Sequence, residues 1–430
     1  MHYFSTKRNS PNVSFREAVL QGQASDRGLF FPSDIPKKSR DFIANLKRRS
    51  NEEIAFEVIR PFVNDEIPEA ELFEICTETV NFPFPLVSIT NSILALELFH
   101  GPTLAFKDVG ARFMSRCLQF FSQGKSRKTI VIVATSGDTG GAVAAGFHGI
   151  EGIEVVILYP KGRVSRVQEM QLTALGGNVT TLEVRGTFDD CQSLAKTALA
   201  DAEFTGKASF TSANSINVAR WLPQQFYYWI ALKNWDGEPP IFSVPSGNFG
   251  NVAAGLIASA SGLPARSFIA ACNANDVVPR FFEMGEFEPR PSVATLSNAM
   301  DVGDPSNFER VLEIFGRDVS RLKEVLTAVT VSDTETQETM KEVFEKTGYV
   351  LDPHGAVGFR ALADSLASQP SERGIFLETA HPVKFESVEG VIGNYEVGSD
   401  IAANLNNGKK KSIEINPDYN EVREILSKLI

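Results

Sequence analysis

A lysine set among small and apolar residues, in LFHGPTLAFKD (Leu98 to Asp108), is the first candidate for chemistry, because most lysines stand in water. Strand-like ILALELF precedes it. Val109, Phe113, Met114, Cys117, Leu118 and Phe121 then follow on one face of a 3.6-residue period, which places Lys107 at a strand-to-helix junction. Shielding at such a junction disfavours the ammonium form and leaves an amine suited to attack an aldehyde. Two glycine-containing turns also follow strands and open helices: SGDTG (Ser136 to Gly140) and SGNFGN (Ser246 to Asn251). The first N–H groups of a helix lack intrahelical partners, and glycine lets a phosphate or carboxylate approach them. A lysine for an aldehyde together with a cup for a phosphate points to pyridoxal phosphate as the cofactor.

Other chemistries fit less well. Neither turn carries the GxGxxG dinucleotide fingerprint, so a nicotinamide enzyme is disfavoured. Gly124-Lys125-Ser126 mimics the end of a P-loop, but Gln119 stands where the first glycine belongs and the triplet precedes a strand. There is no HExxH and the five histidines are scattered, so no metal site is expected. A net charge of −11 with only short basic clusters, Lys47-Arg48-Arg49 and Lys409-Lys410-Lys411, disfavours nucleic acid. Four scattered cysteines without a CxxC pair suit a reducing compartment. With no apolar leader at MHYFSTKRNS and no bilayer-spanning run, the expectation is a cytoplasmic protein away from membranes.

The elements that must position these residues read as alternating β and α units. TIVIVAT, EVVILYP and VTTLEV each precede an amphipathic stretch, and a second set runs from IFSVPSG through NVAAGLIASASG to SFIAAC. Short, continuously apolar strands suit parallel sheets covered on both faces, so the fold expected is two open parallel-sheet α/β domains. VARWLPQQFYYWIALKNW reads as one long helix joining them, and PDYNEVREILSKLI as a terminal amphipathic helix. The expected division is a mostly helical extension over 1–90, a smaller α/β domain over 91–215 carrying Lys107, and a larger one over 216–430 carrying the phosphate cup.

Motifs along most of the chain carry a resemblance: VSFREAVLQGQASDRGLFFP, HGPTLAFKD, ATSGDTGGAV, TSANSINVARWLPQ, VPSGNFGN, SNAMDVGDPSNFER, DPHGAVG and ETAHPVKF. The sequence resembles the threonine synthases, of the tryptophan synthase β-like fold (fold type II of pyridoxal-phosphate enzymes), and among them the longer bacterial and fungal type. The resemblance implies conversion of O-phospho-L-homoserine and water to L-threonine and phosphate, without need of an oligomer. It implies that Lys107 holds the cofactor aldehyde and then moves protons at substrate Cα and Cβ. Gly247, Asn248, Phe249, Gly250 and Asn251 would hold the cofactor phosphate, Thr379 its ring nitrogen, and Asp138 would face its ring oxygen. Thr135, Ser136, Thr139 and Gly140 would receive the substrate carboxylate, and Asn214, Ser215 and Arg220 the substrate phosphate. Lys384 is a further candidate for that anion, while Asp352 and His354 stay open between catalytic and structural roles. The rival readings are a threonine or serine dehydratase on the same fold and a silent relative that binds phosphorylated amino acids.

Overall fold

The computed structural model describes residues 1–124, 127–393, 395 and 409–430; Lys125 and Ser126 of the P-loop mimic lie outside them. The amino-terminal segment is mostly helical, with Phe15–Gln21, Asn51–Val63 and Glu69–Thr79 as its longer helices and β1 (Tyr3–Ser5) paired antiparallel to β2 (Phe30–Pro32). Ser14 and Ser50 open two of these helices with capping boxes, each closed by a glutamate three residues on. The segment has no core of its own. Phe15, Val19 and Phe62 share one apolar cluster with Phe113, Trp221 and Phe226.

The remaining strands are β3 (Leu86–Ser88), β4 (Ile93–Glu97), β5 (Thr129–Ala134), β6 (Ile153–Pro160), β7 (Val179–Val184), β8 (Ser209–Ser212), β9 (Ile241–Pro245), β10 (Ser267–Cys272), β11 (Leu326–Thr330), β12 (Gly374–Glu378) and β13 (Ile413–Ile415). They form a six-stranded sheet in the order β11-β10-β9-β12-β4-β3 and a five-stranded sheet in the order β13-β7-β6-β5-β8. All their pairings are parallel except β3 with β4. Every residue of β5, β9 and β12 is buried, as strands covered on both faces require.

By strand pairing, the stretch 91–215 contributes to both sheets. β4, which leads to Lys107, belongs to the six-stranded one, and β13 returns the carboxyl-terminal residues to the five-stranded one. The helix expected across VARWLPQQFYYWIALKNW is three pieces: Val218–Trp221, a 3₁₀ turn Leu222–Gln224, and Gln225–Lys233. Pro223 causes the break, since it offers no N–H to the helical ladder.

Candidate active site

The loops singled out by sequence leave the carboxyl ends of parallel strands. Leu98 to Phe106 follows β4, Thr135 to Gly137 follows β5, Ala213 to Asn217 follows β8, Ser246 to Phe249 follows β9, and Thr379 to His381 follows β12. Open α/β sheets place ligands at this end.

Lys107 opens the helix Lys107–Ser122. The loop before it is sewn to the one after β12: Ala105 bridges Ala380, the Phe106 N–H donates to the Thr379 carbonyl at 2.9 Å, and the His381 N–H donates to the Leu104 carbonyl at 3.0 Å. Leu104 adopts φ +59°, a conformation leucine avoids, and these flanking bonds hold it there. Asp108 fixes the turn by accepting from the Thr103 N–H at 2.8 Å and its hydroxyl at 2.6 Å. Burial lowers the Lys107 ammonium below the ordinary lysine range; Asp138 opposes this, while Lys384 and Arg220 add to it.

Across the site, Phe249 at φ +61° caps the helix Gly250–Ala260. Among the described residues no protein acceptor takes the N–H groups from Gly247 through Val252. Asn251 accepts from both Tyr227 and Tyr228 hydroxyls on Oδ1, at 2.7 and 2.8 Å, which leaves its buried Nδ2 without a partner. A Cβ on Gly247 would lie 2.5 Å from Met300 Cα, so glycine is needed where this cup meets the SNAM turn. Ser215 leans on the cup as well, its hydroxyl oxygen accepting from Asn248 Nδ2 at 2.9 Å and Asn307 Nδ2 at 3.0 Å. With both acceptor positions used, its own hydrogen is free to donate to an anion.

In the turn after β5, the Thr135 hydroxyl accepts from the N–H groups of Gly137 and Gly140, both at 2.9 Å. The Gly140 N–H is therefore spoken for, and among the described residues the N–H groups of Ser136, Asp138 and Thr139 are the ones without a protein acceptor. Asp138 pairs with Lys384 at 2.8 Å and accepts from Gln168 Nε2 at 3.0 Å. Burial alone would raise the Asp138 carboxyl, but Lys384 and Lys107 outweigh it and hold the group well below the usual carboxylate range.

The trio from NSINVAR is spread over different walls. Asn214 donates to the Ala134 carbonyl at 2.9 Å and so ties β8 to β5, Ser215 joins the cup, and Arg220 lies under Lys107's helix. Arg220 is buried, donates from Nη1 to the Ala213 carbonyl and has no partner at Nε; burial pushes it down to about 10. His354 donates from Nδ1 to Asp352 at 2.5 Å and accepts the Ala299 N–H on Nε2 at 3.2 Å, so this pair braces the SNAM turn beneath the cup. Sequence reasoning missed three contributors. Gln168 acts on Asp138, Gln171 donates to the Thr103 carbonyl at 3.0 Å, and Arg310 donates to the carbonyls of Phe30, Ser215 and Ile216. The SNFER motif flagged the neighbourhood of Arg310; nothing local marked the two glutamines.

Two family models cover this architecture: "Threonine synthase N terminus" matches residues 2–80 and "Pyridoxal-phosphate dependent enzyme" matches residues 79–377. The chain is 46% identical to the threonine synthase of Serratia marcescens and 45% to that of Escherichia coli, each over 397 residues and 91% of either chain. The chain belongs to the threonine synthase family. The crystal structure of the Escherichia coli threonine synthase matches it with TM-score 0.92 at 42% identity, covering 100% of both chains. That of the pyridoxal-phosphate-bound threonine synthase from Brucella melitensis also gives 0.92, at 34% identity over 100% of this chain and 99% of the other. Maize serine racemase, at 17% identity and TM-score 0.55, shares the fold alone.

Pyridoxal phosphate is the cofactor of this family, and the residues present fit it. The free N–H groups and orphaned Asn251 amide suit its phosphate, and the depressed Lys107 amine suits its aldehyde. Lys384 is already paired with Asp138, so among Lys107, Arg220 and Lys384 the cation left to face an anionic ligand is Arg220.

Proposed function

We propose that the chain converts O-phospho-L-homoserine and water to L-threonine and phosphate, with the residue roles that follow. The observation that carries this reading is Arg220, a buried guanidinium packed by Gly110 of the Lys107 helix, whose Nε has no partner among the described residues, in addition to the cup at Gly247–Asn251. A dehydratase needs one anion seat for a phosphate; a substrate that brings its own phosphate needs two.

When bound, the cofactor supplies a conjugated ring that delocalises the electron pair released at substrate Cα. Lys107, as an amine, takes the proton from Cα and gives it up to the conjugated system, which makes it an amine again for the proton of Cβ; it later returns protons to Cγ and Cα. The free N–H groups of Ser136, Asp138 and Thr139 receive the substrate carboxylate at the start of the Asp138–Phe147 helix. Arg220 holds the departing phosphate, for which its planar donor fork suits it. Ser215 turns its hydrogen toward the cup, and Thr379 presents a neutral hydroxyl to the ring nitrogen. Released phosphate stays seated near Arg220, where it takes a proton from the incoming water as oxygen bonds to Cβ. All these residues come from one chain, so a monomer suffices, and four buried free cysteines favour the cytoplasm. Among the described residues, no helix is long and apolar enough to cross a membrane.

The test is amino-acid analysis of the reaction with O-phospho-L-homoserine, with phosphate followed in parallel. Threonine and phosphate in equal amounts are expected, and none from Lys107→Ala. A keto acid in place of threonine would move the assignment to a dehydratase.

A further inference from the structure

The pairing of Lys384 with Asp138 is the feature that the assigned roles leave unused. Sequence offered Lys384 as a seat for the substrate phosphate, but its ammonium is fully buried and spent on two contacts, the Asp138 carboxylate and the Thr103 carbonyl, both at 2.8 Å. Asp138 thus has its shortest cation contact with Lys384, and among the described residues it forms no ion pair within 4.0 Å to Lys107. The pair links the turn after β5 to the turn after β12, on either side of the Lys107 loop.

We propose that Lys384 is a positioning residue that takes up the charge of Asp138 and thereby leaves Lys107 a free amine for the cofactor aldehyde. This rests on the reading of Lys107 as the cofactor lysine. Capture of the aldehyde requires the nitrogen lone pair: it adds to the carbonyl carbon, a C=N bond replaces C=O, and the oxygen leaves as water with the two amine protons. An Asp138 carboxylate without Lys384 would instead stabilise Lys107 as an ammonium, which has no lone pair to give. The other charged groups around the cluster act in known directions. Arg220, from the helix Val218–Trp221, opposes a charge on Lys107. Asp108, on Lys107's own helix, faces Lys384, Arg220 and Arg112. His381 adjoins Lys384 and is kept neutral by burial. Burial and these cations lower the Lys107 ammonium, in the direction the geometry implies.

The experiment mixes apoprotein with pyridoxal phosphate and follows the absorbance of the lysine adduct from about pH 6 to about pH 10, a span below and up to the ordinary lysine value. Lys384→Gln is expected to move the midpoint of the rate profile upward; each unit of that shift slows capture about tenfold below the midpoint. Lys384→Arg should keep the native midpoint, Asp138→Asn should lower it, and the double variant Asp138→Asn/Lys384→Gln should return it toward the native value. A Lys384→Gln protein slowed by one factor at every pH, or with a lowered midpoint, overturns the proposal. An unmoved midpoint in Asp138→Asn does so too, even if Lys384→Gln fails to fold. Lys107→Ala separates the two claims: adduct formation by that variant would refute the Lys107 reading itself.

Discussion

Gly110 is where the helix of Lys107 rests on the backbone of Arg220, which makes Gly110→Ala a test of whether the two must be held at a fixed separation. An added Cβ would lie 2.5 Å from the Arg220 carbonyl oxygen, 3.1 Å from its Nε and 3.3 Å from its carbonyl carbon. Relaxed contacts settle near 3.5 Å or beyond, so the two backbones must part by about an ångström. Overfilling such an interior costs about 1–3 kcal/mol. Alanine's better helix propensity returns about 1 kcal/mol. The remainder, about 0–2 kcal/mol, leaves a folded chain at ordinary domain stabilities. Catalysis is more demanding, since displacing a reacting group by about an ångström costs on the order of 10²-fold. The assay is phosphate release from O-phospho-L-homoserine to obtain kcat/KM, beside a thermal melt on the same preparation. Gly390→Ala is the control: its added Cβ meets nothing within 4 Å among the described residues, and it should keep both quantities. Native kcat/KM in folded Gly110→Ala would refute the reasoning.

Arg220→Ala should raise KM for the phosphorylated substrate more than it lowers kcat, and unchanged KM in steady-state kinetics would remove its phosphate role. Ser215→Ala should weaken retention of pyridoxal phosphate by about 1–2 kcal/mol, read as cofactor loss on dialysis, because it removes a hydroxyl hydrogen that no group among the described residues uses. Burial first, then the neighbouring His100, pushes the His381 imidazole down to about 4, and neutral Nδ1 accepts the Val383 N–H. The unfolded chain therefore takes up this proton first, so the stability this residue contributes is full above about pH 6.5 and falls as pH drops toward about 4, by at most about 3 kcal/mol. Acid titration of the melting temperature should lose that component in His381→Asn, which can still cap the turn.

The candidate site was legible where chemistry leaves a local signature. Lys107 in an apolar run, and glycine turns between strand and helix, follow from short-range rules, and the strands β5, β6, β7, β9 and β10 announced themselves as apolar runs. β8, β11 and β13 were not read because SFTS, LTAVT and IEI are short or polar and gain their place from neighbours. The pairing of β4 with β12 could not be read either, since it joins residues 93–97 to 374–378 and no local pattern records such a contact. For the same reason the partner of Lys384 was missed: a salt bridge between positions 138 and 384 is a property of the sheets' arrangement.

Arg310 lies wholly inside the protein, with its guanidinium over the Trp221 ring and its hydrogen bonds given to carbonyls at Phe30, Ser215 and Ile216. Phe30 and Arg310 stand 280 positions apart. A ribosome adding about 5–20 residues each second leaves the amino-terminal segment outside for on the order of 15–55 s before the side chain that fastens it emerges. During that interval only its own short helices, with their serine caps, keep Phe15 and Phe62 from straying to other apolar surfaces. A chain refolded from denaturant meets no such interval, because both ends of the lock are present from the outset.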